Sequence, residues 1–233
     1  MMYIILPSLL LLCWLAVYLS EKRNIFHQWL FPSQRRASEF FLGLILSTAL
    51  CLMTQTFLSI LDSRTWHLSK DISINKITFS LLYDFNSVVS EELLFRGIIL
   101  HFFIKYWKTA PAMLISASAF GIYHWFTFGV WGNLATMMLV FLVTGLMGYV
   151  FAAAYVKTNS IILPIGMHLG WNWINNTVFS NGPNGIQVLA ADKRVPLEGL
   201  NAIFSLSLYL IIPFVILAFV KSKIIKDSET IQK

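Results

Sequence analysis

Apolar residues fall along the chain in long runs, and seven of these runs can cross a hydrocarbon core, which takes roughly 17 to 25 helical residues. They are Tyr3–Leu19, Glu39–Leu61, Ile77–Ile104, Pro111–Phe128, Gly132–Val156, Ser160–Phe179 and Leu200–Val220. The connections are short except for Ser180 to Gly199, where Asn181-Gly182-Pro183-Asn184-Gly185 predicts an exposed, mobile loop on the outer side. The pattern predicts an all-α fold: a single integral membrane domain over residues 1–233, a polytopic bundle of about seven to eight transmembrane helices. The first run has no Lys or Arg ahead of it and no small-x-small cleavage site after it, so it reads as a retained anchor and not as a signal peptide.

Composition agrees: 57% of residues are hydrophobic and only 12% charged, about half the charge of a soluble domain. The seventeen Lys and Arg are unevenly placed. One set of connections holds Lys22, Arg23, Arg35, Arg36, Lys105, Lys108, Lys157, Lys221, Lys223, Lys226 and Lys233. The other holds only Arg64, Lys70, Lys76, Lys193 and Arg194. The positive-inside rule then puts the amino terminus outside and the carboxyl terminus in the cytoplasm. This bias and attraction to anionic headgroups explain the net charge of +6. No basic stripe interleaved with aromatics points to nucleic acid. Cys13 and Cys51 lie inside apolar runs without metal-ligand spacing and read as small buried hydrophobes. There is no internal repeat and no phosphate-binding glycine loop.

The exceptions to the apolar pattern carry the functional information. Glu91, Glu92 and Arg96 sit inside the third run, where each central charge costs about 2.5 to 3.5 kcal/mol on insertion scales. Glu92 and Arg96 are four residues apart, stacked on one helix face and ordered for an ion pair, whereas Glu91 is turned about 100° away. Glu92 is therefore expected to pair with Arg96, leaving Glu91 without a local partner as the candidate general base. Counted from the cytoplasmic span ends, Glu91, His124 and Asn172 all lie roughly 18 to 20 Å deep, with His168 one turn nearer the cytoplasm. Phe120 precedes His124 by one turn on the same face, and His168 and Asn172 share a face in turn. The row continues through Asn175 and Asn176 as a polar seam between helices. His27, His67 and His101 fall near span ends and read as interfacial residues.

Taken in order, Glu91-Glu92-x-x-x-Arg96 with Gly97 after it, Phe120-x-x-x-His124 and His168-x-x-x-Asn172 resemble the signature of the CPBP family. These are the CAAX-processing and bacteriocin-processing intramembrane proteases, also called the Abi family. The corresponding core covers residues 77–179. The resemblance implies an intramembrane endopeptidase of the glutamate type, with neither metal nor cofactor. Its implied catalytic set is Glu91, Glu92, His124, His168 and Asn172, supported by Arg96 and Phe120. Glu91 would activate water, His124 would position it and shuttle protons, and His168 and Asn172 would stabilise the oxyanion. Neither a Ser nor a Cys is seen paired with a base. The implied partners are the bilayer and a peptide or protein substrate within it, prenylated or leader-bearing. The implied location is a prokaryotic cell membrane.

Three other chemistries stay open on the same residues. Glu91, His124 and His168 supply three potential zinc ligands, against which stands the lack of a His-Glu-x-x-His pair. Asp84, Glu91 and His124 would also suit a proton-coupled transporter. Bacteriocin self-immunity or partner binding would need no proteolysis.

Overall fold

A computed structural model describes residues 2–22, 24, 33–192 and 197–227. Arg23, His27, Lys193, Arg194 and Lys233 of the sequence argument lie outside the described residues. The helices are α1 (Met2–Glu21), α2 (Gln34–Leu61), α3 (Ile74–Glu92), α4 (His101–Tyr106), α5 (Thr109–Thr127), α6 (Leu134–Thr158), α7 (Ile162–Trp173) and α8 (Gly199–Lys221). A π-helical segment, Leu93–Leu100, joins α3 to α4, and a second, Ile174–Val178, continues α7. Each predicted run is thus helical to within a few residues of its expected ends. By length and composition, α2, α6 and α8 are able to cross a membrane. Among the described residues these three are fewer than the seven to eight spans expected, because polar residues interrupt the third run, α7 is short, and only Leu6–Glu21 of α1 counts as a shorter apolar stretch.

Side-chain caps set several helix starts. Ser33, Ser73 and Asn133 hold extended or β-region backbone and accept hydrogen bonds from the amides of Arg36, Lys76 and Thr136. Asn159 ends α6 in the left-handed conformation, φ +50°. The π segments leave backbone carbonyls displaced from the regular ladder, and neighbouring side chains satisfy some of them. Ser116 Oγ donates to the Phe95 carbonyl at 2.9 Å, and Cys13 Sγ approaches the Leu93 carbonyl at 3.6 Å. Cys13 and Cys51 are both free and fully buried, as expected.

The pivot of the bundle is α7, where every residue from Leu163 to Gly170 is buried. It lies against α2 at glycine contacts: a Cβ on Gly166 or Gly170 would press into the carbonyl oxygens of Phe40 and Leu44, and one on Gly43 would stand 2.9 Å from the Leu163 carbonyl. Gly166 and Gly170 form a G-x-x-x-G pair that brackets His168, so the spacing that lets the backbones approach also sets the depth of the histidine. On the far side α5 packs on α6 through Gly121 and Gly148.

One connection departs from expectation. The stretch after α7 is tied down: Leu189–Ala191 forms a strand, β2, pairing antiparallel with β1 (Trp66–Leu68), with Trp66 opposite Ala191 and Leu68 opposite Leu189. Gln187 is buried in the same stretch, and its side chain donates to the Asn184 carbonyl at 2.6 Å. The expected mobile loop is therefore largely ordered, because its backbone finds partners in the α2–α3 connection. His67 lies in β1, 3.4 Å from the Asp192 carboxylate. His101 opens α4 and contacts Glu21 at 2.9 Å and the Tyr155 hydroxyl at 3.0 Å.

Substituting Gly170→Ala should cost about 1 to 3 kcal/mol through overpacking against α2. Gly145→Ala meets only an ordinary 3.6 Å contact and should change little. Equilibrium unfolding in mixed micelles measures both.

Candidate active site

Helix α3 delivers two adjacent carboxylates to different surroundings. Glu92 and Arg96 are both wholly buried, with Arg96 Nη1 3.1 Å from Glu92 Oε1. The expected pairing is present although Arg96 lies in the π segment. Arg96 Nη2 also donates to the Gly148 carbonyl at 3.1 Å, and its guanidinium lies 4.6 Å from the Phe120 ring centre and 5.1 Å from that of Phe151. The cation is thus enclosed by a carboxylate, a carbonyl and two aromatic rings, which offset part of its desolvation. Glu92 Oε1 has a second donor, His168 Nδ1 at 2.9 Å. Glu92 therefore holds both the arginine and the catalytic-type histidine.

Glu91 points elsewhere. Ser87 Oγ donates to its Oε1 at 2.9 Å, while Oε2 lies 4.0 Å from His124 Nε2 and 3.9 Å from His168 Nε2. Two expectations are corrected here: Glu91 does have a local partner, and a serine is paired with the candidate base. The reason is helical spacing, since residues 87 and 91 share a face. That i, i+4 relation was the signal available in the sequence.

Hydrogen-bond partners fix the faces of both histidines. His124 Nδ1 meets the Phe120 carbonyl at 2.8 Å, and a carbonyl only accepts, so Nδ1 carries the hydrogen. The same reasoning applies to His168 Nδ1 against the Glu92 carboxylate. In the neutral rings both Nε2 atoms are then acceptors turned toward a third acceptor, Glu91 Oε2. Packing holds the rings in place: His168 stacks on Phe151 at 5.0 Å and 23°, and Phe120 lies 4.5 Å from His124. Asn172, half-buried, lines the same cavity of about 250 Å3 as His124, His168 and Phe120.

The predicted polar seam is also present. Asn176 donates to the buried Asp84 at 2.8 Å, and Asn175 accepts from Gln55 at 2.9 Å. The three side chains of the zinc alternative do converge. Among the described residues, however, no group of three or more His, Cys, Asp or Glu side chains is arranged to hold a metal ion.

A helical membrane protein with a buried Glu-Glu-Arg cluster facing two histidines defines a class of intramembrane hydrolase candidates. Residues 73–174 match the family model described as type II CAAX prenyl endopeptidase Rce1-like. This match agrees with the motif resemblance over the same stretch of the chain. The match supports a CAAX-type protease at the level of that family, and the long apolar helices support an integral membrane protein. Neither the curated proteins nor the solved structures compared with the chain gave a match.

Removing only the cation, Arg96→Ala, should destabilise the fold by about 3 to 5 kcal/mol, because Glu92 stays buried without it. The double change Glu92→Leu with Arg96→Met should recover much of that loss while leaving His168 unanchored. Unfolding free energies of the three proteins in one detergent test this.

Proposed function

We propose that the protein is an intramembrane endopeptidase that cleaves a membrane-associated peptide or protein, prenylated or leader-bearing, by glutamate-activated water. The observation that carries this reading is the convergence of His124 Nε2 and His168 Nε2 on Glu91 Oε2. Three acceptors at one point suit a water molecule, which can donate a hydrogen to two of them and turn a lone pair toward a substrate carbonyl. Its O–H proton passes to Glu91 as the new C–O bond forms and the carbonyl becomes an oxyanion. Asn172 supplies an amide hydrogen to that oxyanion. Glu92, bonded to Nδ1 of His168, fixes that ring so that its Nε2 faces the water. Collapse breaks the C–N bond, and the proton held by Glu91 reaches the leaving amine through His124.

We read α1, α5, α7 and the α3–α4 unit as further spans. In this reading the amino terminus is outside and the carboxyl terminus cytoplasmic. The strand pairing supports it: β1 and β2 bring the α2–α3 and α7–α8 connections to one side, as the Lys and Arg distribution requires.

The decisive comparison is peptidomics of membranes carrying the wild type and Glu91→Gln at equal folded levels. A peptide that accumulates uncut in the variant is expected, and unchanged peptidomes would overturn the proposal. With that peptide in hand, Glu91→Gln should lower kcat by roughly 10²- to 10⁴-fold, and Asn172→Ala by roughly 10²- to 10³-fold with KM nearly unchanged. Glu92→Gln should be less damaging than Glu91→Gln. The reaction should survive metal stripping with phenanthroline; its loss, restored by zinc, would favour the three-ligand alternative.

A further inference from the structure

Glu91 borders a second cavity, of about 450 Å3, that shares no lining residue with the one containing His124, His168 and Asn172. Its lining includes Tyr83, Asn86, Ser87, Ser90, Glu91 and Tyr123, with Leu9 and Leu94 at its apolar edges. On α3 the polar residues 83, 87 and 90 follow one another at helical spacing, on one face. Phe85, 41% exposed, stands between them in sequence but about 160° around the helix from Tyr83. In the proposed membrane placement Phe85 faces acyl chains. A face of hydroxyl and amide groups at the same depth is costly against lipid unless it meets water or protein.

The two cavities differ in character. The first is walled by Phe120, Phe128, Met147 and Phe151 alongside His124, His168, Asn172 and Asn175, and so suits the side chains and amides of a peptide. Six of the eight residues lining the second carry a hydroxyl, amide or carboxyl group, and its volume, against roughly 30 Å3 per molecule of liquid water, holds several waters. Glu91 lies between them. Ser87 lines the second cavity and holds Oε1, while Oε2 is turned to the histidines that line the first.

Resting on the proposed role of Glu91 as base, we propose that this second cavity is the reservoir from which hydrolytic water reaches Glu91, on the side opposite the substrate. Water and peptide then reach the carboxylate by separate routes. The peptide need not be displaced for the water to enter. Ser87 is a positioning residue: by holding Oε1 it keeps Oε2 aimed across the wall.

The test is thiol accessibility in the full-length protein in proteoliposomes, using a cationic methanethiosulfonate reagent that reacts in water and is excluded from lipid. Cys13 and Cys51, both fully buried, stay in place and report any unfolding by becoming reactive. Ser90→Cys and Asn86→Cys should react at least about tenfold faster than Phe85→Cys, since thiols react as thiolates in water. Equal rates at the three positions would overturn the proposal. This measurement needs no peptidase activity, so it fails or succeeds independently of the role given to Glu91. A second arm uses the peptide that accumulates in the Glu91→Gln membranes. Filling the cavity with Ser90→Trp should lower kcat at least about tenfold with KM within about twofold. A raised KM with kcat retained would assign the cavity to peptide and overturn the water site.

Discussion

The architecture depends on keeping one guanidinium out of water. Arg96 has no exposed surface, and nearly everything around it is arranged to make that tolerable: Glu92, the Gly148 carbonyl, and the faces of Phe120 and Phe151. Those partners come from α3, α5 and α6, so the cation gathers three helices. Through Glu92 and His168 it engages α7 as well. A buried ion pair often contributes little net stability compared with apolar packing. Here its worth is positional, because the same carboxylate oxygen that meets Arg96 also meets His168 Nδ1.

Adjacent carboxylates on one helix thus acquire opposite characters. Glu92 has two strong partners for one oxygen and no freedom to move. Glu91, a third of a turn away, has one serine hydroxyl on one oxygen and two imidazole nitrogens just beyond hydrogen-bond distance of the other. A group meant to exchange protons must be held without being saturated, and this geometry separates those two demands between neighbouring residues.

Much of this was legible in the sequence, for identifiable reasons. The runs gave the helices because lipid leaves the backbone few alternatives to internal hydrogen bonding. The four-residue spacings gave the Glu92–Arg96 pair, the Phe120–His124 contact and the shared face of His168 and Asn172. Depth counting brought Glu91 and His124 together because spans crossing one bilayer share a ruler. Ser87 went unnoticed since a serine in a membrane helix is common, although it obeys the same spacing as Arg96. Gly166 and Gly170 were also readable as a close-approach pair. The π segments were not, because hydropathy does not register one extra residue per turn. Nor was the β1–β2 pairing, since two three-residue strands more than a hundred positions apart leave no periodic trace.

That small sheet does more than cover a loop. Five residues separate β1 from α3 and ten separate the α7 unit from β2, so the helices bearing Glu91 and His168 are joined through one hydrogen-bonded clasp. Chain and ladder close a ring at that end of the two helices, which limits how far one can shift without the other. The separation of Glu91 and His168 is thereby guarded at a distance, by a latch that touches neither.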